Sequence, residues 1–153
     1  MSNELLWLPK TAASLLTTEL NNAAGGAIIV DAADYDNATN KYRWADFFLH
    51  LTDFDAAPAA GSNVELHLFY KLDGTLYCDG EEGDAATPTP TGNSFHGLFQ
   101  IEAVDGPQNQ QVLGVRLSPF AFRAAVVLNI TTDLTDVATH YLKMYPYNEE
   151  LQA

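Results

Sequence analysis

The stretch Asn63-Val64-Glu65-Leu66-His67-Leu68-Phe69-Tyr70-Lys71-Leu72-Asp73-Gly74 decides the class of this chain. Val64, Leu66, Leu68 and Tyr70 alternate with Asn63, Glu65, His67 and Lys71. Successive side chains of a strand point to opposite faces, so this alternation predicts a half-buried strand. Asp73-Gly74 then supplies turn chemistry for a hairpin into Thr75 to Cys78.

The same period recurs on both sides. Downstream, Phe95, Phe99, Ile101 and Ala103 face one way and His96, Gln100 and Glu102 the other, and a strand over Val112 to Leu117 is closed by Ser118-Pro119. Phe122 to Ile130 is apolar on both faces and reads as a central strand, while His140 to Tyr147 sets Leu142 and Met144 against Tyr141, Lys143 and Tyr145. Upstream, Tyr42 to Leu51 has Ala45, Phe47, Leu49 and Leu51 on one face and Tyr42, Trp44 and Phe48 on the other, and Ala27 to Asp31 is a shorter strand. About seven or eight strands separated by turns predict an all-β fold, a β-sandwich or jelly roll, over 27–153. Residues 1–26 read as an N-terminal arm. In it Ser14 caps a short helix reaching Ala24, with Leu15, Leu16 and Leu20 on one side and Gly25-Gly26 as its stop. Asp79 to Asn93, with its glycines and Thr87-Pro88-Thr89-Pro90-Thr91, is a surface loop.

A chain of 153 residues is one domain with a real core. Its 7 basic and 20 acidic residues leave a formal charge of −13, and no cluster of Lys or Arg occurs along the sequence. Repulsion from phosphates therefore disfavours nucleic acid and anionic membrane as partners. The lone Cys78 makes no intrachain disulfide, which points to a reducing compartment. Met-Ser-Asn-Glu is acidic where a signal peptide is basic, and no stretch approaches the ~20 apolar residues of a membrane helix. A soluble protein made in a cytoplasm is expected.

No pattern of catalytic residues stands out. Asp79-Gly80-Glu81-Glu82-Gly83-Asp84 offers carboxylates to a hard cation, but an EF-hand loop would have glycine sixth and Glu twelfth, where Asp84 and Pro90 stand. It reads as a solvated acidic turn. His50, His67, His96 and His140 fall singly on different strands without metal-ligand spacing, so each is expected hydrogen-bonded or exposed. Cys78 lies between Tyr77 and Asp79, a setting that raises a thiol pKa. Ser94 and Ser118 lack a nucleophile-elbow context. Neither enzyme activity, nor metal, nor cofactor is expected.

Aromatic residues are the surplus. Trp44 and Phe47 read as plain core packing, whereas Tyr141, Tyr145 and Tyr147 share one face of the last strand and read as an interface with another chain or a ligand. Leu5, Leu6, Trp7 and Leu8 form an apolar cluster with no evident strand role and read as a second contact element, with Trp7 as anchor.

Several strings carry a resemblance. Leu16-Thr17-Thr18-Glu19-Leu20-Asn21, Trp44-Ala45-Asp46-Phe47-Phe48, Lys71-Leu72-Asp73-Gly74-Thr75-Leu76-Tyr77, Val115-Arg116-Leu117-Ser118-Pro119-Phe120-Ala121-Phe122 and Leu142-Lys143-Met144-Tyr145-Pro146-Tyr147 occur in this order over nearly the whole chain. Together they resemble small virion proteins of tailed bacteriophages. Many related strings have a Ser-Gly-Asn-Thr lead before the final strand, where this chain has Val137-Ala138-Thr139-His140. The resemblance implies a β-sandwich or jelly-roll cement or decoration protein on the outer capsid surface, binding the major capsid protein and often a homotrimer, and it transfers no catalytic residue. It leaves a tail or neck role open. An acidic exterior agrees with a place away from packaged DNA, and strands apolar on two faces suggest a protomer that completes its packing by oligomerising. Two other classes stay in play: a carbohydrate-binding module, since β-sandwiches present aromatic rings to sugars, and a hydrolase.

Overall fold

A computed structural model describes residues 5–74, 76–78, 89–136 and 139–151. Among the described residues nine strands are formed: β1 (Leu5–Pro9), β2 (Ala13–Leu16), β3 (Ile28–Val30), β4 (Trp44–Leu51), β5 (Asn63–Tyr70), β6 (Phe95–Gln100), β7 (Gln108–Arg116), β8 (Phe122–Asn129) and β9 (Tyr141–Leu151). One sheet has the order β1-β9-β4-β7 with β2 also on β9, and the other has β3-β8-β5-β6. All the pairings are antiparallel. Without β1 the two orders are 2-9-4-7 and 3-8-5-6, the two four-stranded sheets of an eight-stranded jelly roll. The expected fold class is therefore observed.

The core lies between the sheets, where the inward positions predicted by alternation meet. Phe47, Leu49, Leu142 and Met144 from the first sheet pack against Val64, Leu66, Phe99, Phe122, Val126 and Leu128 from the second, all fully buried. Each such side chain stabilises the fold by about 1.5–3 kcal/mol relative to exposure. At the far edge β6 approaches β7 so closely that a Cβ on Gly97 would collide with the side chain of Val112.

β8 is central between β3 and β5, as its two apolar faces predict. Its outer face is covered from within the chain: Ala125 packs with Phe69, Tyr77 and Val30. Tyr77 belongs to the hairpin. Gly74 has φ +83° and the Leu76 N–H donates to Asp73 Oδ1 at 2.7 Å, so the turn forms, and among the described residues the return segment pairs through an isolated bridge between Lys71 and Tyr77, with the Cys78 N–H on Tyr70 O at 2.9 Å. Tyr77 packs onto Phe69.

Three expectations are corrected. The helix over Ser14 to Ala24 is absent: Ala13–Leu16 is β2, paired with β9, and only Thr18–Leu20 makes a 3-10 turn. The weak helix formers Thr17, Thr18 and Asn21 give way to strand pairing that buries Leu15 and Leu16. Leu5, Leu6, Trp7 and Leu8 do belong to a strand, pairing with Leu151, Glu150, Glu149 and Asn148, because the 11-residue β9 is longer than β2 and leaves half its edge open. Phe95 does not share a face with Phe99. The register shifts between Leu66 and His67, which pair with Gly97 and Phe95, so this bulge skips His96 and leaves Phe95 exposed against the His67 ring.

Candidate binding face and its cationic pocket

The outer face of the first sheet collects the aromatic surplus. Even-numbered positions of β4 point away from the core and lie opposite β9 in the pairs Trp44–Tyr147, Asp46–Tyr145, Phe48–Lys143 and His50–Tyr141. The Tyr141 ring stacks on His50 at 4.9 Å, lies 6.1 Å from Phe48, and receives the Lys143 ammonium over its face at 4.2 Å. Tyr141, Tyr145 and Tyr147 thus share this face as the alternation predicts. Trp44 is corrected: it has the opposite parity to Phe47, which is core, and stands half-buried on the outer surface.

A bulge completes the face. The pairing of β4 with β7 slips between Ala45 and Phe47, opposite Val115 and Val112, and Gly114 takes up the extra residue at φ +64°. Asp46 Oδ1 accepts the Gly114 N–H at 2.8 Å and holds the bulge. The slip leaves Leu113 61% exposed among the aromatics, beside Tyr145 at 44%. Pro9 at the end of β1 borders the same shallow depression as Leu113, Tyr145 and Tyr147. Burial, and then the carboxylates of Asp46 and Glu149, push the Tyr147 hydroxyl above its usual pKa. Leu8 is half-buried, and the Leu5, Leu6 and Trp7 backbones extend the sheet edge.

Beyond Trp44 the face opens into a pocket of about 650 Å³ lined by Lys41, Tyr42, Arg43, Trp44, Arg116 and Glu149, with Leu117 and Pro119. Three of the chain's seven cations meet here. No run of basic residues announces this, because β4–β7 pairing brings Arg116 opposite Trp44 from far along the chain. The walls are pinned from beneath. A short helix, α1 (Asn37–Asn40), ends in Lys41, which adopts φ +54°. Asn37, fully buried, donates from Nδ2 to Tyr42 O at 3.0 Å and Ser118 O at 2.7 Å and accepts the Tyr42 N–H at 2.9 Å. The Arg43 N–H donates to Asn148 Oδ1 at 2.9 Å and its carbonyl accepts from Leu117 N–H at 2.8 Å.

The other polar clusters hold the fold together. Asp34 accepts from Lys71 Nζ at 2.6 Å, Tyr77 Oη at 2.6 Å and Arg123 Nε at 2.9 Å. Burial raises its pKa, but these three hydrogen bonds outweigh it and hold the carboxyl below the usual range. Nearby, burial pushes Asp31 up to about 6 against the hydrogen bond from Ala33 N–H. Buried His140 accepts from Thr52 N–H at Nδ1, 3.0 Å, and donates from Nε2 to Thr135 O, 3.0 Å, and burial lowers its pKa. His67 is buried between Ser94 Oγ and Glu65. Among the described residues no three His, Cys, Asp or Glu side chains converge as metal ligands, and the acidic turn Asp79 to Asp84 lies outside those residues.

No family model matches this sequence, and no curated protein matches it. Among solved structures it is similar to the CBM36-1 domain of a multidomain xylanase from the hindgut metagenome of Trinervitermes trinervoides, at 12% identity and TM-score 0.39 over 98% of each chain. It is also similar to a carbohydrate-binding module CBM36 in complex with calcium and xylotriose, at 12% identity and TM-score 0.38 over 94% of this chain and 100% of that one. A chain of turnip yellow mosaic virus shares 8% identity at TM-score 0.35 over 99% and 95% of the two chains.

Proposed function

We propose that this protein is a β-sandwich binding module without catalytic activity, which docks the outer face of its first sheet onto a protein surface. In the setting that the phage resemblance suggests, that surface is the major capsid protein on the outside of a virion, and the protein bridges capsid subunits as a cement or decoration protein. The carrying observation is the make-up of the first sheet's outer face, where an exposed Tyr and an exposed Leu lie among further aromatics, while the second sheet exposes Ile28, Phe95 and Leu98 only on its edge strands β3 and β6. The outer face of β8 is covered by the chain's own Tyr77, whereas Tyr145 and Leu113 stay exposed among Trp44, Phe48 and Tyr141. Tyr, Trp and Phe with a charged rim are the composition of a protein interface core. Many moderate contacts on neighbouring subunits then have to break together before the lattice opens.

Co-sedimentation with undecorated capsids tests this. Wild type is expected to pellet with the particles, and Leu113→Asp combined with Tyr145→Ala to stay in solution with an unchanged fold. Wild-type occupancy by that variant would remove the face from the mechanism. A second reading, carbohydrate binding, draws on the spacing of aromatic rings among the hydrogen-bonding side chains of Asn109 and Gln111, opposite His50 and Phe48. Selective signals on a glycan array, lost in the same variant, would favour it over capsid docking.

A further inference from the structure

We infer that the pocket of Lys41, Arg43, Arg116 and Trp44 is a recognition site for a short acidic segment of a partner polypeptide. The site goes beyond the docking face: it shares Trp44 with that face but has its own cations, and variants at Leu113 and Tyr145 or at Arg43 and Arg116 test the two separately.

The first observation is charge. The pocket holds three cations against the single carboxylate of Glu149, a local balance of +2 on a chain whose formal charge is −13. The Debye length in physiological salt is about 8 Å, so a ligand in the pocket feels the lining charges most strongly; Asp46, two residues along β4 from Trp44 on the same face, adds a carboxylate outside the lining. Among the described residues none of the three side chains makes an ion pair; the ion pairs there involve Glu65, His67, Asp34, Lys71 and Arg123. Two are arginines, whose planar fork suits paired hydrogen bonds to a carboxylate.

The second observation is that the pocket is built before any ligand arrives. Asn37 fixes Tyr42 and Ser118 from below, and Asn148 and Leu117 fix the backbone of Arg43 on either side. Lys41 occupies a left-handed conformation that glycine adopts without strain, so the position carries a charged side chain where the backbone alone favours none. Preorganised walls reduce the ordering cost of binding.

The third observation selects the ligand. The flat Trp44 ring and the apolar Leu117 and Pro119 receive a peptide's aliphatic stems and backbone, while Glu149 offers an acceptor to its N–H groups. A nucleic acid would need cations along an extended track, but the others, Lys10, Lys71, Arg123 and Lys143, lie outside this pocket. A few carboxylates on a short segment match what is present.

Fluorescence anisotropy with a dye-labelled hexaglutamate peptide tests the assignment on the full chain. Saturable binding is expected, at least tenfold tighter than for hexaglutamine and weaker in 1 M salt. Arg43→Gln with Arg116→Gln should weaken it at least tenfold. Lys41→Gly provides a variant that keeps the backbone conformation, and it should weaken binding at least threefold without lowering the melting temperature. Leu113→Asp with Tyr145→Ala should leave peptide affinity unchanged even where capsid docking is lost, so failure of one site is distinguishable from failure of the other. No saturable binding, undiminished binding by the double arginine variant, or equal affinity for a single-stranded DNA hexamer would overturn the inference. So would binding of a tetragalacturonate with no response to the peptide.

Discussion

Replacing Asn37 by alanine tests how the pocket is held. The side chain is 0% exposed and makes three hydrogen bonds, two donated to the carbonyls of Tyr42 and Ser118 and one accepted from the Tyr42 N–H. A net hydrogen bond contributes about 0.5–1.5 kcal/mol, and a buried group left without its partner costs about 1–3 kcal/mol. Water reaches part of this loop, so the loss should be on the order of 3 kcal/mol and not the full sum. For a chain of this length that lowers the melting temperature by roughly 6–12 °C. Asn37→Asp separates hydrogen bonding from volume. It keeps the acceptor for Tyr42 N–H but turns a carboxylate oxygen toward two carbonyl oxygens, so it should destabilise at least as much as alanine. Thermal melts followed by circular dichroism read both, and hexaglutamate affinity should fall in both with every cation in place. A cost under about 1 kcal/mol for Asn37→Ala, or an aspartate variant clearly more stable than the alanine one, would refute this account of the pocket walls.

Other outcomes follow from the same geometry. Gly97→Ala places a methyl group against Val112, a side chain stiff at χ1, and should cost about 1–3 kcal/mol by denaturant titration; a neutral result would mean that the β6–β7 edge yields freely. Asp31 has a folded pKa of about 6, above its unfolded value, so its contribution is present in full below pH 3.8 and lost as pH rises through 6. Asp31→Asn keeps the acceptor for Ala33 N–H and should stabilise by about 1 kcal/mol at pH 7.5, after discounting for solvent screening, with no gain at pH 3.5. Analytical ultracentrifugation at micromolar concentration should show a cyclic oligomer, with a homotrimer as the expected state; a clean monomer of 16.7 kDa would count against oligomerisation. Deleting residues 1–9 removes β1 but leaves β2 on β9, so the chain should still fold, with a lower melting temperature and weakened capsid binding. Wild-type occupancy by the truncated protein would confine the contact surface to the remaining sheet face.

Local alternation is enough to specify the long central strands and their inward faces, though not β1 or β2. In Asn63–Tyr70, Phe122–Asn129 and Trp44–Leu51 the period-2 pattern is local, and one buried face requires it whatever the partner. It also placed Tyr141, Tyr145 and Tyr147 together, since they share parity on one strand. Pairing between distant segments decided the rest. Helix signals at Ser14 and Gly25 were outweighed by the open edge of β9, and one-residue slips beside Leu66 and Ala45 turned Phe95 outward and lifted Leu113 into the aromatic face. Lys41, Arg43 and Arg116 became one pocket only because β7 lies in register beside β4 while Asn37 ties the segment leading into β4 to Ser118, just after β7. Alternation specifies which way a side chain points; only the register of nonlocal strand pairs specifies what it meets there.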